Sequence, residues 1–203
     1  MIRIEILLYD GFDELDAIAP YELLSNVQRA PGGVTVELVA LDGPRSVTAA
    51  HGLVLDCPGA PSERPDVLIV PGGGWADGAP TGARAEAERG ALPAAIATRH
   101  AAGSVVASVC TGAMLLVAGG LLSGRPATTH HVALEDLRAS GARVVDARVV
   151  DDGDMITAGG VTSGLDLALW LVERFLGPRA ARAHEVALEY ERRGTVWRAG
   201  ATA

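Results

Sequence analysis

Two short stretches of the chain, DVLIV at 66–70 and SVVASV at 104–109, are almost continuously apolar where a half-exposed strand would alternate. A strand can be apolar on both sides only when both faces of its sheet are covered, the situation created by helices crossing over a parallel sheet. Residues 3–9 form another β-rich run, and VTVELVAL at 34–41 alternates. Helical patterns fall between these runs, at 21–29, 82–89, 92–102, 111–118, 132–140 and 165–176. Strands alternating with helices specify the α/β class with a mostly parallel sheet. Two hairpins read as antiparallel additions to it. One covers 46–55; in the other, Val149-Val150 and Met155-Ile156-Thr157 flank an Asp-Gly turn. No repeat or linker divides the chain, and Gly43-Pro44 and Gly177-Pro178 read as turns, so one domain over 1–203 is expected.

At 203 residues and 49% hydrophobic, such a domain buries roughly 70% of its unfolded surface and needs no disulfide or structural metal. Cys57 and Cys110 make no disulfide framework. No apolar run nears the ~18 residues of a membrane span. The N-terminus MIRIEILLYD turns acidic and lacks a basic leader, so a cytoplasmic protein with no membrane partner is expected. The net charge of -8, with no basic patch longer than Arg192-Arg193, argues against a nucleic-acid partner.

Two absences narrow the chemistry. All 17 basic residues are arginine, which removes Schiff-base chemistry, a pyridoxal phosphate anchor and the P-loop lysine together. Asn26 and Gln28 are the only side-chain amides, so an oxyanion hole would have to be built from backbone N–H groups.

In an open α/β sheet the carboxyl ends of the strands bind ligands. There the sequence places Pro71-Gly72-Gly73-Gly74 and Cys110-Thr111-Gly112. A cysteine between a strand and a helix sits in a tight turn where the helix dipole favours thiolate. The alternative is a buried cysteine acting as a small hydrophobe. The glycine run lets a backbone N–H approach the sulfur, where the Thr111 N–H also reaches, although it matches neither dinucleotide nor P-loop fingerprints and could be a plain loop. Asp16, after the first strand, is either a proton carrier with a raised pKa or a helix N-cap next to a boundary marked by Pro20. His130-His131 could supply a base, but the spacing suits no metal site, and His130 is read as a supporting group. His184-Glu185 lies in a charged stretch read as a solvated face, and Cys57 as an ordinary thiol in a turn.

Cys110-Thr111-Gly112-Ala113, with SVVASV before it and Val70-Pro71-Gly72-Gly73-Gly74, resembles the DJ-1/PfpI (ThiJ/PfpI) superfamily. Further marks are Gly11-Phe12 through Leu15-Asp16 to Pro20, Gly120-Leu121-Leu122-Ser123-Gly124-Arg125 with Ala127-Thr128-Thr129-His130, Gly160-Val161-Thr162-Ser163-Gly164-Leu165-Asp166, and Leu188-Glu189-Tyr190. The likeness covers a core of about residues 2–190 and implies a flavodoxin-like three-layer α/β/α sandwich, of the class I glutamine amidotransferase-like type, with a cysteine nucleophile elbow. PfpI-type peptidases carry a histidine where this chain has Thr111, and DJ-1 a glutamate where it has Asp16. Aspartate combined with Cys-Thr resembles the isocyanide hydratase subgroup. Sensor domains of AraC-like regulators share Cys-Thr-Gly-Ala but continue into a helix-turn-helix, for which a chain ending at Ala203 is expected to leave no room.

The resemblance implies a cofactor-independent lyase that hydrates an isocyanide to an N-substituted formamide through a thioimidate on Cys110. Asp16 would move the proton and Thr111 would orient Asp16 through its hydroxyl. Gly73 and Thr111 N–H groups would stabilise charge, with Gly72 and His130 in support. Its rivals are glyoxalase III-like hydration of an α-oxoaldehyde and a non-enzymatic redox or ligand sensor. The resemblance also implies a small-molecule substrate, no metal, and a homodimer whose apolar surface would come from Phe12, Trp75 and the loop at 76–80.

Overall fold

The computed structural model describes residues 1–27, 33–76 and 78–200. Gln28, Arg29 and Asp77, which fall in the expected first helix and the 76–80 loop, lie outside the described residues. Strands β1 (Ile2–Leu8), β2 (Val34–Ala40), β5 (Val67–Val70), β6 (Val105–Val109), β9 (Val149–Asp151), β10 (Met155–Ala158) and β11 (Trp197–Arg198) form the main sheet, ordered β11-β9-β10-β6-β5-β1-β2. The five strands from β2 to β10 run parallel; in register, Ile4 faces Val67 and Val67 faces Val105. Every residue of β5 is buried, as its unbroken apolar run requires.

Helices α1 (Glu14–Val27), α6 (Ser163–Leu176) and α7 (Pro178–Ala187) pack together on one face. Helices α2 (Ala83–Arg89), α3 (Ala91–Ala101) and α4 (Gly112–Ala118) pack on the other. The arrangement is a flavodoxin-like α/β fold with a mostly parallel central sheet. Its crossovers change face between β1 and β5, and that switch opens a crevice at the carboxyl ends of these strands. Among the described residues no helix is long and apolar enough to cross a membrane.

Several elements differ from the sequence reading. The hairpin at 149–157 is the antiparallel pair β9–β10, but β10 itself belongs to the parallel core. The other hairpin, β3 (Arg45–Thr48) with β4 (Val54–Cys57), is a separate two-stranded sheet, not an addition to the main one. Cys57 ends β4 and is buried, so it lies in a strand and not in a turn. The sheet extends past the expected core limit near 190, because β11 pairs with β9. A small parallel sheet joins β7 (Pro126–Ala127) to β8 (Arg143–Val144), and a short 3-10 turn (His131–Ala133) leads into α5 (Leu134–Ala139). Glu185 is buried between Arg182 and Arg192, at 3.0 and 2.8 Å, so that stretch is stitched by ion pairs and is not simply a solvated face.

The largest difference is at α1, which begins at Glu14 and carries Pro20 inside it. Proline forfeits one helical hydrogen bond. Here it is buried against α6, where Gly164 leaves room for its ring. Packing on α6 outweighs the local cost.

Candidate active site

Loops from the ends of β1, β5 and β6 meet at the crevice. Cys110, the residue after β6, has φ 58°, and Glu189 is the one other non-glycine residue with positive φ among the described residues. That conformation costs on the order of 1–3 kcal/mol and persists only where its surroundings enforce it. The restraint comes from both sides of the residue. The Cys110 N–H donates to the carbonyls of Ala158 (3.1 Å) and Gly159 (3.0 Å) beyond β10, and its own carbonyl accepts from Thr129 Oγ1 at 2.8 Å. The cysteine thus occupies a strand-to-helix elbow.

The glycine loop after β5 lies against this elbow. A Cβ on Gly72 would sit 2.5 Å from the Thr111 nitrogen, so only glycine allows the two backbones to approach this closely. The Tyr9 hydroxyl donates to the Pro71 carbonyl at 2.7 Å and steadies the loop from below.

Asp16 lies in the first turn of α1, fully buried. Its Oδ2 accepts the Gly72 N–H at 2.9 Å, whereas Oδ1 has no hydrogen-bond partner. Capping falls to Asp13, whose Oδ1 accepts the Leu15 N–H at 3.1 Å. The cap reading of Asp16 is therefore replaced: the helix starts at Glu14, well before the boundary expected at Pro20, which puts Asp16 inside its first turn. Burial, reinforced by the Asp13 charge, raises the Asp16 pKa to about 8, against the opposing pull of the Gly72 N–H and the adjoining Cys110 thiol.

Cys110 is 6% exposed, and its thiol pKa is pushed far up, by burial first and by the Asp16 carboxylate second. The Thr111 N–H at the sulfur pulls the other way and does not prevail. The thiolate expected from the helix dipole is corrected accordingly: α4 is short, and desolvation with a neighbouring carboxylate outweighs it. Burial thus favours the protonated form of both members of the pair.

The remaining site residues divide. Thr111 Oγ1 accepts from the Gly73 N–H at 2.9 Å. That N–H is therefore turned to the hydroxyl and not to the sulfur, and the hydroxyl is tied to the glycine loop, with no bond to Asp16 among the described residues. The Gly72 N–H serves Asp16, which leaves the Thr111 N–H as the donor at sulfur. His130 is half-buried; its Nδ1 accepts the Val132 N–H at 3.3 Å and its ring leans on His131, 4.1 Å between centroids. Burial and His131 lower its pKa, which keeps it neutral. No hydrogen bond joins it to Cys110 or Asp16 among the described residues. A groove of about 1130 Å³ lined by Thr129, His130, Arg148, Gly159 and Trp197 adjoins the back of the elbow without touching the sulfur. Among the described residues no three of His, Cys, Asp and Glu converge as metal ligands.

Asp13 and Thr129 are the site residues the sequence reading missed. Asp13 was legible as an acid at cap spacing before Glu14-Leu15-Asp16, once α1 is allowed to contain Pro20. Thr129 gave no local signal, because its role depends on a contact across 19 positions.

The model of the DJ-1/PfpI family matches residues 2–174. An isonitrile hydratase from Pseudomonas putida is 37% identical over 196 residues, 93% of this chain and 78% of that protein. A deglycase from Thermococcus kodakarensis is 27% identical over 157 residues, 77% of this chain and 89% of that one. A crystal structure of a ThiJ/PfpI family protein from Pseudomonas syringae superposes with a TM-score of 0.82 at 31% identity, covering 95% of this chain and 76% of that one. The strained Cys110 elbow, the glycine loop packed on it and these matches agree: the chain belongs to the DJ-1/PfpI family.

Proposed function

We propose that the chain adds water to an isocyanide, R–NC, and releases the formamide R–NH–CHO. The observation that carries this is the buried Asp16 carboxyl beside the Cys110 thiol, its Oδ2 held by the Gly72 N–H at 2.9 Å and its Oδ1 without a hydrogen-bond partner, with burial raising the pKa of both groups. An isocyanide carbon is electrophilic but becomes a carbanion if attacked without protonation, so it needs a nucleophile and a proton together. Asp16 gives its proton to the terminal carbon as Cys110 Sγ bonds to it. The thiol proton returns to the carboxyl, leaving the thioimidate R–N=CH–S–Cys and Asp16 protonated again. Water then adds to that carbon, the Asp16 carboxyl carries a proton to nitrogen, and the C–S bond breaks to give the formamide and the free thiol. No electrons are exchanged with a cofactor at any step.

Hydration of an α-oxoaldehyde must also move a proton between adjacent carbons, and would call on His130. Among the described residues it has no hydrogen bond to the pair, and it donates through Nε2 alone if Nδ1 keeps the Val132 contact. A peroxide sensor is favoured by an exposed thiolate, whereas Cys110 is buried and burial raises its pKa. The identity to the Pseudomonas putida isonitrile hydratase supports the first reading, and the deglycase relative keeps carbonyl substrates as the comparison. The test is incubation with alkyl and aryl isocyanides and with α-oxoaldehydes, using Cys110→Ala as control. Formamide produced catalytically by the unaltered protein alone is the expected result. Turnover of the oxoaldehydes alone would overturn it.

A further inference from the structure

The peptide group joining Pro71 to Gly72 carries two hydrogen bonds that run in one direction. Its carbonyl oxygen accepts the Tyr9 hydroxyl at 2.7 Å, and its N–H donates to Asp16 Oδ2 at 2.9 Å. Tyr9, which follows β1 directly, is buried, as are Pro71, Gly72 and Asp16. A donor at the carbonyl polarises an amide and strengthens its N–H, by about 10–30% per bond in such a chain. Tyr9 therefore acts on Asp16 through one amide, with no hydrogen bond of its own to the carboxyl among the described residues.

The rest of the glycine loop is fixed without Tyr9. The Gly72 carbonyl accepts the Asp13 N–H at 2.8 Å, the Gly73 carbonyl accepts the Ala83 N–H at 2.7 Å, and the Gly73 N–H donates to Thr111 Oγ1 at 2.9 Å. A plain phenyl ring would fill the same core volume. What the hydroxyl adds is felt at Asp16. In a protonated carboxyl one oxygen bears the proton and the other is left as the acceptor. The Gly72 N–H makes Oδ2 that acceptor, so the proton falls to Oδ1, the buried oxygen without a hydrogen-bond partner.

We propose that Tyr9 is a positioning residue for proton delivery: its hydroxyl, acting through the Pro71–Gly72 amide, holds the Gly72 N–H on Asp16 Oδ2 and thereby keeps the carboxyl proton on Oδ1. Resting on the hydration reading above, Oδ1 is the oxygen that gives its proton to the isocyanide carbon. Loss of the Tyr9 hydroxyl weakens the clamp and lets the proton distribute over both oxygens, so kcat falls in Tyr9→Phe while KM changes little.

The test reads the Asp16 carboxyl itself, without turnover. Its carboxyl-carbon NMR resonance, identified by its loss in Asp16→Asn, is titrated in the unaltered protein, in Tyr9→Phe and in Tyr190→Phe. Tyr190 donates to Asp166 at 3.1 Å and controls for the loss of a bonded phenol elsewhere. The ionisable neighbours of Asp16 and Tyr9, namely Asp13, Cys110 and Glu86, are the same in all three. Weaker N–H donation stabilises the carboxylate less, so the midpoint is expected to rise by about 0.5 in Tyr9→Phe and to stay in place in Tyr190→Phe. The chain has three tyrosines, so 3-fluorotyrosine can be confined to position 9 in a Tyr21→Phe, Tyr190→Phe background. There a stronger donor in the same place is expected to lower the midpoint relative to that background with ordinary Tyr9. A midpoint that stays put in Tyr9→Phe, moves as far in Tyr190→Phe, or rises with the fluorinated phenol would overturn the proposal. The expected shifts in a protein with no isocyanide turnover would sink the hydration and leave the Tyr9 role standing.

Discussion

Asp16 and Cys110 are a pair in which burial sets the protonation of both members. For Asp16 the native state keeps a proton up to about pH 8, whereas an unfolded aspartate loses it near 3.8. Between those values the native state binds more protons, so this group's contribution to stability is full below pH 4 and is lost as pH rises toward 8. Asp16→Asn removes that dependence. Denaturant unfolding from pH 4 to 8 is expected to show a steeper loss of stability in the unaltered protein than in the variant. Equal slopes would mean that Asp16 ionises normally. The same variant deletes the carboxylate that raises the Cys110 pKa. Alkylation of Cys110 by iodoacetamide should therefore begin at lower pH in Asp16→Asn, and an onset shifted upward would contradict the coupling. The placement of both residues was legible in the sequence, from a cysteine at a strand end and an acid at the same edge. Their protonation was not, because a dipole can be inferred from a helix while desolvation depends on what closes over the side chain.

Strands β5 and β6 could be read directly, since a fully apolar run admits few other placements. Helix α1 could not be bounded, because Pro20 is a local stop signal that only its contact with α6 overrides. The two-residue strand β11 has no pattern of its own and exists through its pairing with β9. What organises the site is the contact between the loops after β5 and β6. A methyl on Gly72 would collide with the Thr111 and Gly112 nitrogens, both backbone atoms that cannot swing aside. Gly72→Ala is expected to lose about 1–3 kcal/mol of stability, the usual cost of overpacking, and to slow Cys110 chemistry well beyond that of a comparably destabilised core variant. Chemical denaturation with parallel rate measurements checks both, and an alanine variant of normal stability and activity would show that the loops are not in close contact.

For the whole molecule, the fold closes with most of its apolar side chains inside. Phe12, expected at a dimer surface, is fully buried, and Trp75 is occupied within the chain by Asp136 at 2.7 Å and by Arg84 stacked over its ring. Leu15, Leu53 and Val54 are instead 40, 43 and 56% exposed, on α1 and on the hairpin tied to it through His51 and Glu14. A symmetric pair would cover that patch beside the site. Sedimentation is expected to give twice the 20.9 kDa chain mass, with Leu15→Glu shifting the protein toward monomer; a monomer at micromolar concentration would exclude the pairing. The account as a whole turns on Asp16 as the proton source for Cys110. Its most direct test is the initial rate of formamide formation from an isocyanide by the unaltered protein and by Asp16→Asn across pH 6 to 10. The account predicts a rate that falls as pH rises through about 8, and a folded variant slower by on the order of 10²- to 10⁴-fold. A variant within a few-fold of the unaltered protein would contradict it.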